Sequence, residues 1–177
     1  MRNRLVALAL LAVAIVVLVV FFVHSGSRRQ PPAVPLTTLA PATVTRVVVK
    51  KQGKIIFALR RGTQGWEMTA PQKRRTNNES IRALLASLDE TTARHYSASA
   101  LNLADTGLDP PRFTLDVGDV RLSFGTLNQA NLLRYVRRGD TVYMVMDRIA
   151  PLIARGPGFF AAAPPPQTTP HAGTAGG

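Results

Sequence analysis

Thr43-Val44-Thr45-Arg46-Val47-Val48-Val49-Lys50-Lys51-Gln52-Gly53-Lys54-Ile55-Ile56-Phe57-Ala58-Leu59-Arg60-Arg61 sets the architecture of this chain. Its first part, Thr43 to Lys50, is β-branched and partly alternating, with Val44, Val47, Val48 and Val49 around Arg46. Branching at Cβ restricts a side chain in a helix but suits the pleated surface of a sheet. The second part, Lys54 to Arg61, carries Ile55, Ile56, Phe57, Ala58 and Leu59. Gln52-Gly53 lies between them, and glycine supplies the backbone freedom a tight turn requires. The two parts therefore read as paired strands. Gly62-Thr63-Gln64-Gly65 makes another turn, and Trp66-Glu67-Met68-Thr69 a third short strand, so the reading is an antiparallel meander.

A helix is expected next. Thr76-Asn77-Asn78-Glu79 has the spacing of a capping box, in which Thr76 and Glu79 would each satisfy a free backbone N–H at the helix start. Ile81, Leu84, Leu85 and Leu88 follow as one apolar stripe of a helix running to Glu90. Ala93 to Ala98 reads as a further strand. Leu101 to Pro111 reads as irregular, with Pro110 and Pro111 barring a helix. Strands are expected at Arg112–Val117, Val120–Phe124, Leu132–Arg137 and Thr141–Met146, with turns at Gly118-Asp119 and Gly139-Asp140. A short helix should span Asp147 to Ala154. The order β-β-β-α, then β-β-β-β-α, suggests a weak internal duplication. The predicted fold class is α+β: antiparallel sheet with one or two packed helices, preceded by a single transmembrane helix.

That last element resolves a conflict in the composition. The chain has 177 residues, with 22 Lys and Arg against 10 Asp and Glu, a formal charge of +12, yet 46 % of its residues are apolar. Charge and apolar surface must therefore be segregated. Leu5 to Val23 is an unbroken apolar run of nineteen residues. At about 1.5 Å per residue a helix of this length reaches about 28 Å, close to the hydrocarbon thickness of a bilayer. A cleaved secretory signal has a shorter apolar region and a small-residue cleavage site. Ser25-Gly26-Ser27 is a weak one, so residues 1–24 read as an uncleaved signal anchor. Arg2 and Arg4 before the run nearly balance Arg28 and Arg29 after it. The short N-terminal stub favours the cytoplasmic side of a bacterial inner membrane, with the remainder in the periplasm. Residues 25–42, with Pro31, Pro32, Pro35 and Pro41, read as a semi-extended tether. Residues 43–155 read as the α+β domain, and residues 156–177, rich in Ala, Pro and Gly without a charge, as a disordered tail whose first aromatics, Phe159 and Phe160, could still pack on the domain.

An ordered set of motifs spans the domain. A strand from Trp66 to Pro71 precedes the capped helix, and Gly107-Leu108-Asp109-x-Pro111 comes after it. Leu122-x-Phe124-Gly125 and Tyr135-Val136-Arg137-x-Gly139-Asp140-x-Val142-Tyr143 complete the set. Together they resemble the bacterial family called domain of unknown function 4340, over roughly residues 44–153. Thr106 stands where that family more often has an aromatic residue. The resemblance implies an envelope protein anchored by one N-terminal helix, in a family some of whose members accompany ABC-type transport or gliding systems. It implies no catalytic residues, and it marks Trp66, Gly107, Leu108, Asp109, Pro111, Tyr135 and Arg137 as structural positions.

The residues themselves point away from catalysis. The absence of cysteine excludes disulfides, cysteine-ligated metals, a thiol nucleophile and a lipidated cysteine. Neither a Gly-x-Ser-x-Gly elbow nor a His-Glu-x-x-His helix occurs. His24 and His171 lie outside the domain, which leaves His95 alone in it. No catalytic, cofactor or metal site is therefore expected. Asp105 with Asp109, and Asp116 with Asp119, could act as paired acids, but turn formation through Asp side chains is the favoured reading. Trp66, Tyr135 and Tyr143 are read as packing residues.

Charge remains the strongest signal. Setting aside Arg2, Arg4, Arg28 and Arg29 leaves the domain at about +8. Lys50, Lys51, Lys54, Arg60, Arg61, Lys73, Arg74, Arg75, Arg134, Arg137 and Arg138 form clusters at strand ends and turns, the candidate interaction surface along one sheet edge. The expected function is a non-catalytic scaffold or accessory subunit of an envelope or ABC-transport-type complex. The alternative is a binding module for anionic lipid or envelope polymer. The expected partners are the bilayer, through Leu5 to Val23, and an envelope protein. Nucleic acid is not expected, because no aromatic–basic signature accompanies the charge.

Overall fold

The computed structural model describes residues 15–16, 32–92 and 94–163. The chain divides into two compact units, Met1–Pro32 and Ala33–Gly177. Within the first, Ile15 and Val16 are helical, and the rest of the apolar run at residues 5–23 lies outside the described residues. Among the described residues no helix is long and apolar enough to cross a membrane.

The second unit is dominated by antiparallel sheet. Its first meander is β2 (Arg46–Lys51), β3 (Lys54–Gly62) and β4 (Gly65–Ala70), extended by β5 (Arg74–Arg75). Helix α1 (Asn78–Ala86) follows, then β6 (Thr91–Thr92), β7 (His95–Ser97) and a single 3-10 turn at Ala98–Ala100. The second meander is β8 (Phe113–Val117), β9 (Val120–Asn128), β10 (Leu133–Arg138) and β11 (Thr141–Met146), followed by α2 (Ile149–Ala154) and α3 (Pro157–Phe160). The nine-stranded sheet has the order β5-β4-β3-β2-β8-β9-β10-β11-β7. The first strands of the two meanders meet at its centre, Val47 opposite Val117 and Val49 opposite Leu115. Each meander then runs outward, the sheet form of the repeated order seen in the sequence.

Alternation along the strands divides the sheet into two faces. Val47, Val49, Phe57, Leu59, Met68, Leu115, Val117, Leu122, Phe124 and Val136 share the core face. Against it pack Ile81, Leu84, Leu85 and Leu88 from the α1 region, Ile149 and Ile153 from α2, and Phe160. The expected apolar stripe is thus the buried stripe, although α1 ends at Ala86 and not at Glu90. Its cap also differs from the expected box. Asn77 is the N-cap, its side chain accepting from the backbone N–H groups of Glu79 at 3.0 Å and Ser80 at 3.5 Å. Thr76 is committed elsewhere: it bridges Ala161, and its hydroxyl donates to the Trp66 carbonyl at 2.6 Å.

Both expected domain boundaries move outward. Within the segment read as a tether, β1 (Val34–Pro35) pairs with β6, and Leu36 is fully buried. Leu36 donates its N–H to Glu90 at 2.7 Å and accepts from the Arg138 guanidinium at 2.7 Å. Proline-rich composition favours extended backbone, and extended backbone can dock as readily as it can span. The segment read as a disordered tail begins with α3. Phe160 is fully buried, its ring 4.7 Å from that of Phe57. Its carbonyl accepts from Asn77 N–H, and Ala162 N–H donates to Arg75, each at 2.9 Å. Two adjacent aromatics supply enough apolar surface to order their neighbours despite low-complexity flanks. Residues 164–177 lie outside the described residues.

Replacing Phe160 by Ala should therefore lower the unfolding free energy by about 3–5 kcal/mol. Urea titration of the purified chain measures this, and a loss below about 1 kcal/mol would show that the C-terminal segment is not part of the core.

Candidate functional site

Among the described residues, the second face of the sheet is covered at one end only. There Val142 of β11 packs with Ala98 and Leu108, and with Leu101, Leu103 and Tyr135 around them. The covering segment lies very close to β9. Thr126 N–H and its hydroxyl both donate to the Thr106 carbonyl, at 2.8 and 3.0 Å. Gly125 permits this approach, because a Cβ there would collide with the Thr106 carbonyl oxygen. Gly107 adopts φ +66, and a Cβ on it would fall 2.7 Å from the Thr126 methyl. Leu108 bridges Pro111 across the turn. The Gly-Leu-Asp-x-Pro element is thus a clasp on the sheet.

The rest of this face is open, and the register identifies its side chains. One cross-strand row is Arg46, Arg60, Glu67 and Arg75. A second is Val48, Asp116 and Arg121, and a third Lys50, Thr114, Ser123 and Arg137. Arg46, Arg60, Arg75 and Arg121 are exposed. Arg46 and Arg121 stand outside the clusters read from the sequence, because each is isolated along the chain. Alternation of polar and apolar residues in β2 and β9 was the signal that could have found them.

The clustered residues do not share one sheet edge. Lys73, Arg74 and Arg75 lie at and beside the β5 edge, whereas Arg134, Arg137 and Arg138 lie on β10, two strands in from the opposite edge. Several are tied to the fold. Arg134 makes a two-pronged ion pair with Asp147 at 2.7 and 2.6 Å and donates to the Gly125 carbonyl. Arg138 donates to the Tyr143 hydroxyl at 2.8 Å as well as to Leu36. Arg61 lies 5.4 Å over the Trp66 ring and donates to the Ala42 carbonyl. Such paired guanidinium groups act as packing residues with a charged end. Arg137 donates to the Gly139 carbonyl at 2.7 Å and faces Asp140 at 3.8 Å. Lys73 faces Glu67 at 3.8 Å, and Arg74 donates to Gln72. Lys51 and Lys54 sit directly opposite each other at the exposed β2–β3 hairpin.

Asp116 is the electrostatic centre of the open face. Its carboxylate accepts from Lys50 Nζ at 2.8 Å and from Arg121 Nε at 2.7 Å. Partial burial alone would raise its pKa, but the hydrogen bonds and charges of Arg121 and Lys50 outweigh burial and leave the carboxyl below its ordinary value.

Where the open face meets the clasp there is a groove of about 660 Å³. Lys50, Lys51 and Gln52 of the hairpin line one side, and Asp105, Asp109 and Arg112 come from the clasp. The Asp105 and Asp109 side chains take no hydrogen bond or ion pair among the described residues, so neither shapes its turn as expected. Asn102 does so, accepting from Ala104 N–H at 3.1 Å. Among the described residues no three of His, Cys, Asp and Glu are placed to hold a metal ion.

A family model described as Domain of unknown function (DUF4340) matches residues 66–160. The chain belongs to this family. The DUF4340 match begins at Trp66 in β4, ends at the buried Phe160, and takes in the whole clasp and all of β8 to β11. It reaches further toward the C-terminus than the resemblance suggested, and it leaves β2 and β3 outside. No curated protein and no solved structure gives a significant match to the chain.

The depressed Asp116 carboxyl has a pH signature. A lowered folded-state pKa contributes stability that is present above the ordinary carboxylate range and is lost as pH falls through the folded value. Asp116→Asn should remove about 1 kcal/mol at pH 7 and flatten the fall in stability below about pH 4. Urea titrations from pH 7 to pH 3 check both; equal slopes in the two proteins would contradict the assignment.

Proposed function

We propose that this protein is a membrane-anchored, extracytoplasmic binding domain without a catalytic role. It acts as a scaffold or accessory subunit of an envelope or ABC-transport-type complex, with the open sheet face as its contact surface. The observation that carries this reading is the charge of that face. Arg46, Arg60, Arg75 and Arg121 are exposed on it beside Lys50 and Arg137, against the acids Glu67 and Asp116. Excess charge of one sign on a rigid, uncovered surface favours an oppositely charged partner and speeds encounter with it. The partner is therefore an acidic protein surface. The apolar run at residues 5–23 supports the anchor.

A second reading rests on the hairpin tip. Lys51 and Lys54 face each other across the β2–β3 pair, an arrangement of like charges that is unfavourable by itself and relieved by a bound anion. Anionic lipid or polymer is the corresponding ligand, and vesicles with and without anionic lipid distinguish it from a protein partner.

A photo-crosslinking residue placed at Ser123, on the open face, should capture an envelope protein in cells. Arg46→Glu with Arg60→Glu should reduce that product about tenfold or more, because like charges then meet across the contact. An undiminished product would remove the open face from the proposal. Topology has its own measurement: alkaline phosphatase fused to the C-terminus should be active, and an inactive fusion with an active cytoplasmic reporter would reverse the assignment.

A further inference from the structure

We propose that the groove between the β2–β3 hairpin and the clasp binds a short zwitterionic peptide, its carboxylate toward Lys50 and Lys51 and its ammonium toward Asp105 and Asp109. The volume, about 660 Å³, lies within the roughly 300–1,000 Å³ of small-ligand sites. Its two walls come from different parts of the chain and differ in charge. The hairpin contributes Lys50 and Lys51, and the clasp contributes Asp105 and Asp109 together with the single cation Arg112. Lys50 is held in place by Asp116 at 2.8 Å, whereas Lys51 is exposed.

Opposite walls of this kind would neutralise each other if they could close. No ion pair joins them among the described residues, and both are braced. The hairpin is fixed by β2 pairing with β3 on one side and β8 on the other. The clasp is fixed by the Thr126 bonds to Thr106 and by its close approach to Gly125. The charges are therefore held apart, available to a third body. Inside the groove a simple anion would meet the Asp105 and Asp109 charges, and a simple cation those of Lys51 and Arg112. Repulsion of the wrong charge is a source of specificity as real as attraction of the right one. Only a ligand bearing both charges satisfies both walls. Gln52 and Thr114, whose side-chain polar groups make no bond to the described residues, offer partners for peptide N–H and C=O groups. The groove shares Lys50 and Thr114 with the open face but not Arg46 and Arg60, on which the open-face contact is tested.

Calorimetric titration of the purified full chain with dialanine, trialanine and tetra-alanine tests the proposal. At least one should bind saturably, and more weakly as salt is raised. N-acetylation and C-amidation should each weaken that peptide about three- to tenfold, as for loss of a partly exposed charge pair, and blocking both ends should abolish binding. Lys51→Gln should reduce the effect of C-amidation, leaving what Lys50 contributes, and Asp109→Asn with Asp105→Asn should erase that of N-acetylation. All three side chains are exposed, so these variants should unfold as the parent does, which a urea titration confirms. Absence of binding by all three peptides, equal binding of free and blocked forms, or dependence on the carboxylate alone would each overturn the proposal. None of these results touches the Ser123 crosslink, so the two readings fail separately.

Discussion

Val47 and Val49 of β2 lie against Val117 and Leu115 of β8, and the rest of the sheet is arranged outward from this contact. Residues that pair there are separated by about seventy positions in sequence, so no local turn brings them together. What brings them together is a shared apolar face. Valine alternation in β2 and Leu115 and Val117 in β8 place both strands' apolar side chains in the same core, and a slip of one residue would turn that face to water. The hydrogen-bonded ladder then fixes which side chains stand beside one another on the opposite face.

That opposite face is where function can reside, and its division follows from glycine. Gly107 and Gly125 let the clasp touch β9 at one end, so Val142, Leu108 and Ala98 form a small second core. Beyond the reach of the clasp, the same sheet presents Arg and Lys rows around Asp116. The groove is the seam between the two regimes. One chemical feature, the absence of a side chain at two positions, thus separates a buried end from a charged open end. The family motif marks the clasp, and the close approach of the clasp to β9 accounts for its glycines.

Much of this was legible locally. The strands of both meanders, the Ile81–Leu88 stripe and the turns at Gly118 and Gly139 follow from side-chain periodicity and glycine conformation, which are properties of neighbouring residues. Thr76 has the spacing of a helix cap but is also competent to bridge a strand, and only Ala161 and the Trp66 carbonyl determine which role it takes. The aromatic pair Phe159-Phe160 stands out from its alanine-rich flank, whereas Leu36 is hidden in a proline-rich segment, where composition averages away a single buried anchor. The basic clusters misled in the same way. Arg134 and Arg138 look like surface charge beside Arg137, yet Asp147, Leu36 and Tyr143 claim them.

By itself the sequence determined the class of fold, the existence and type of most elements, and membership of the family. These depend on local periodicity and on motifs that stay recognisable wherever the chain goes. The tertiary structure decided how two meanders became one sheet, which cations are free and which are bound, and that Lys51 and Asp109 face one groove. Those outcomes depend on register between strands far apart in the chain. Register is set by mutual burial of whole faces, a collective property that the residues of one segment do not carry.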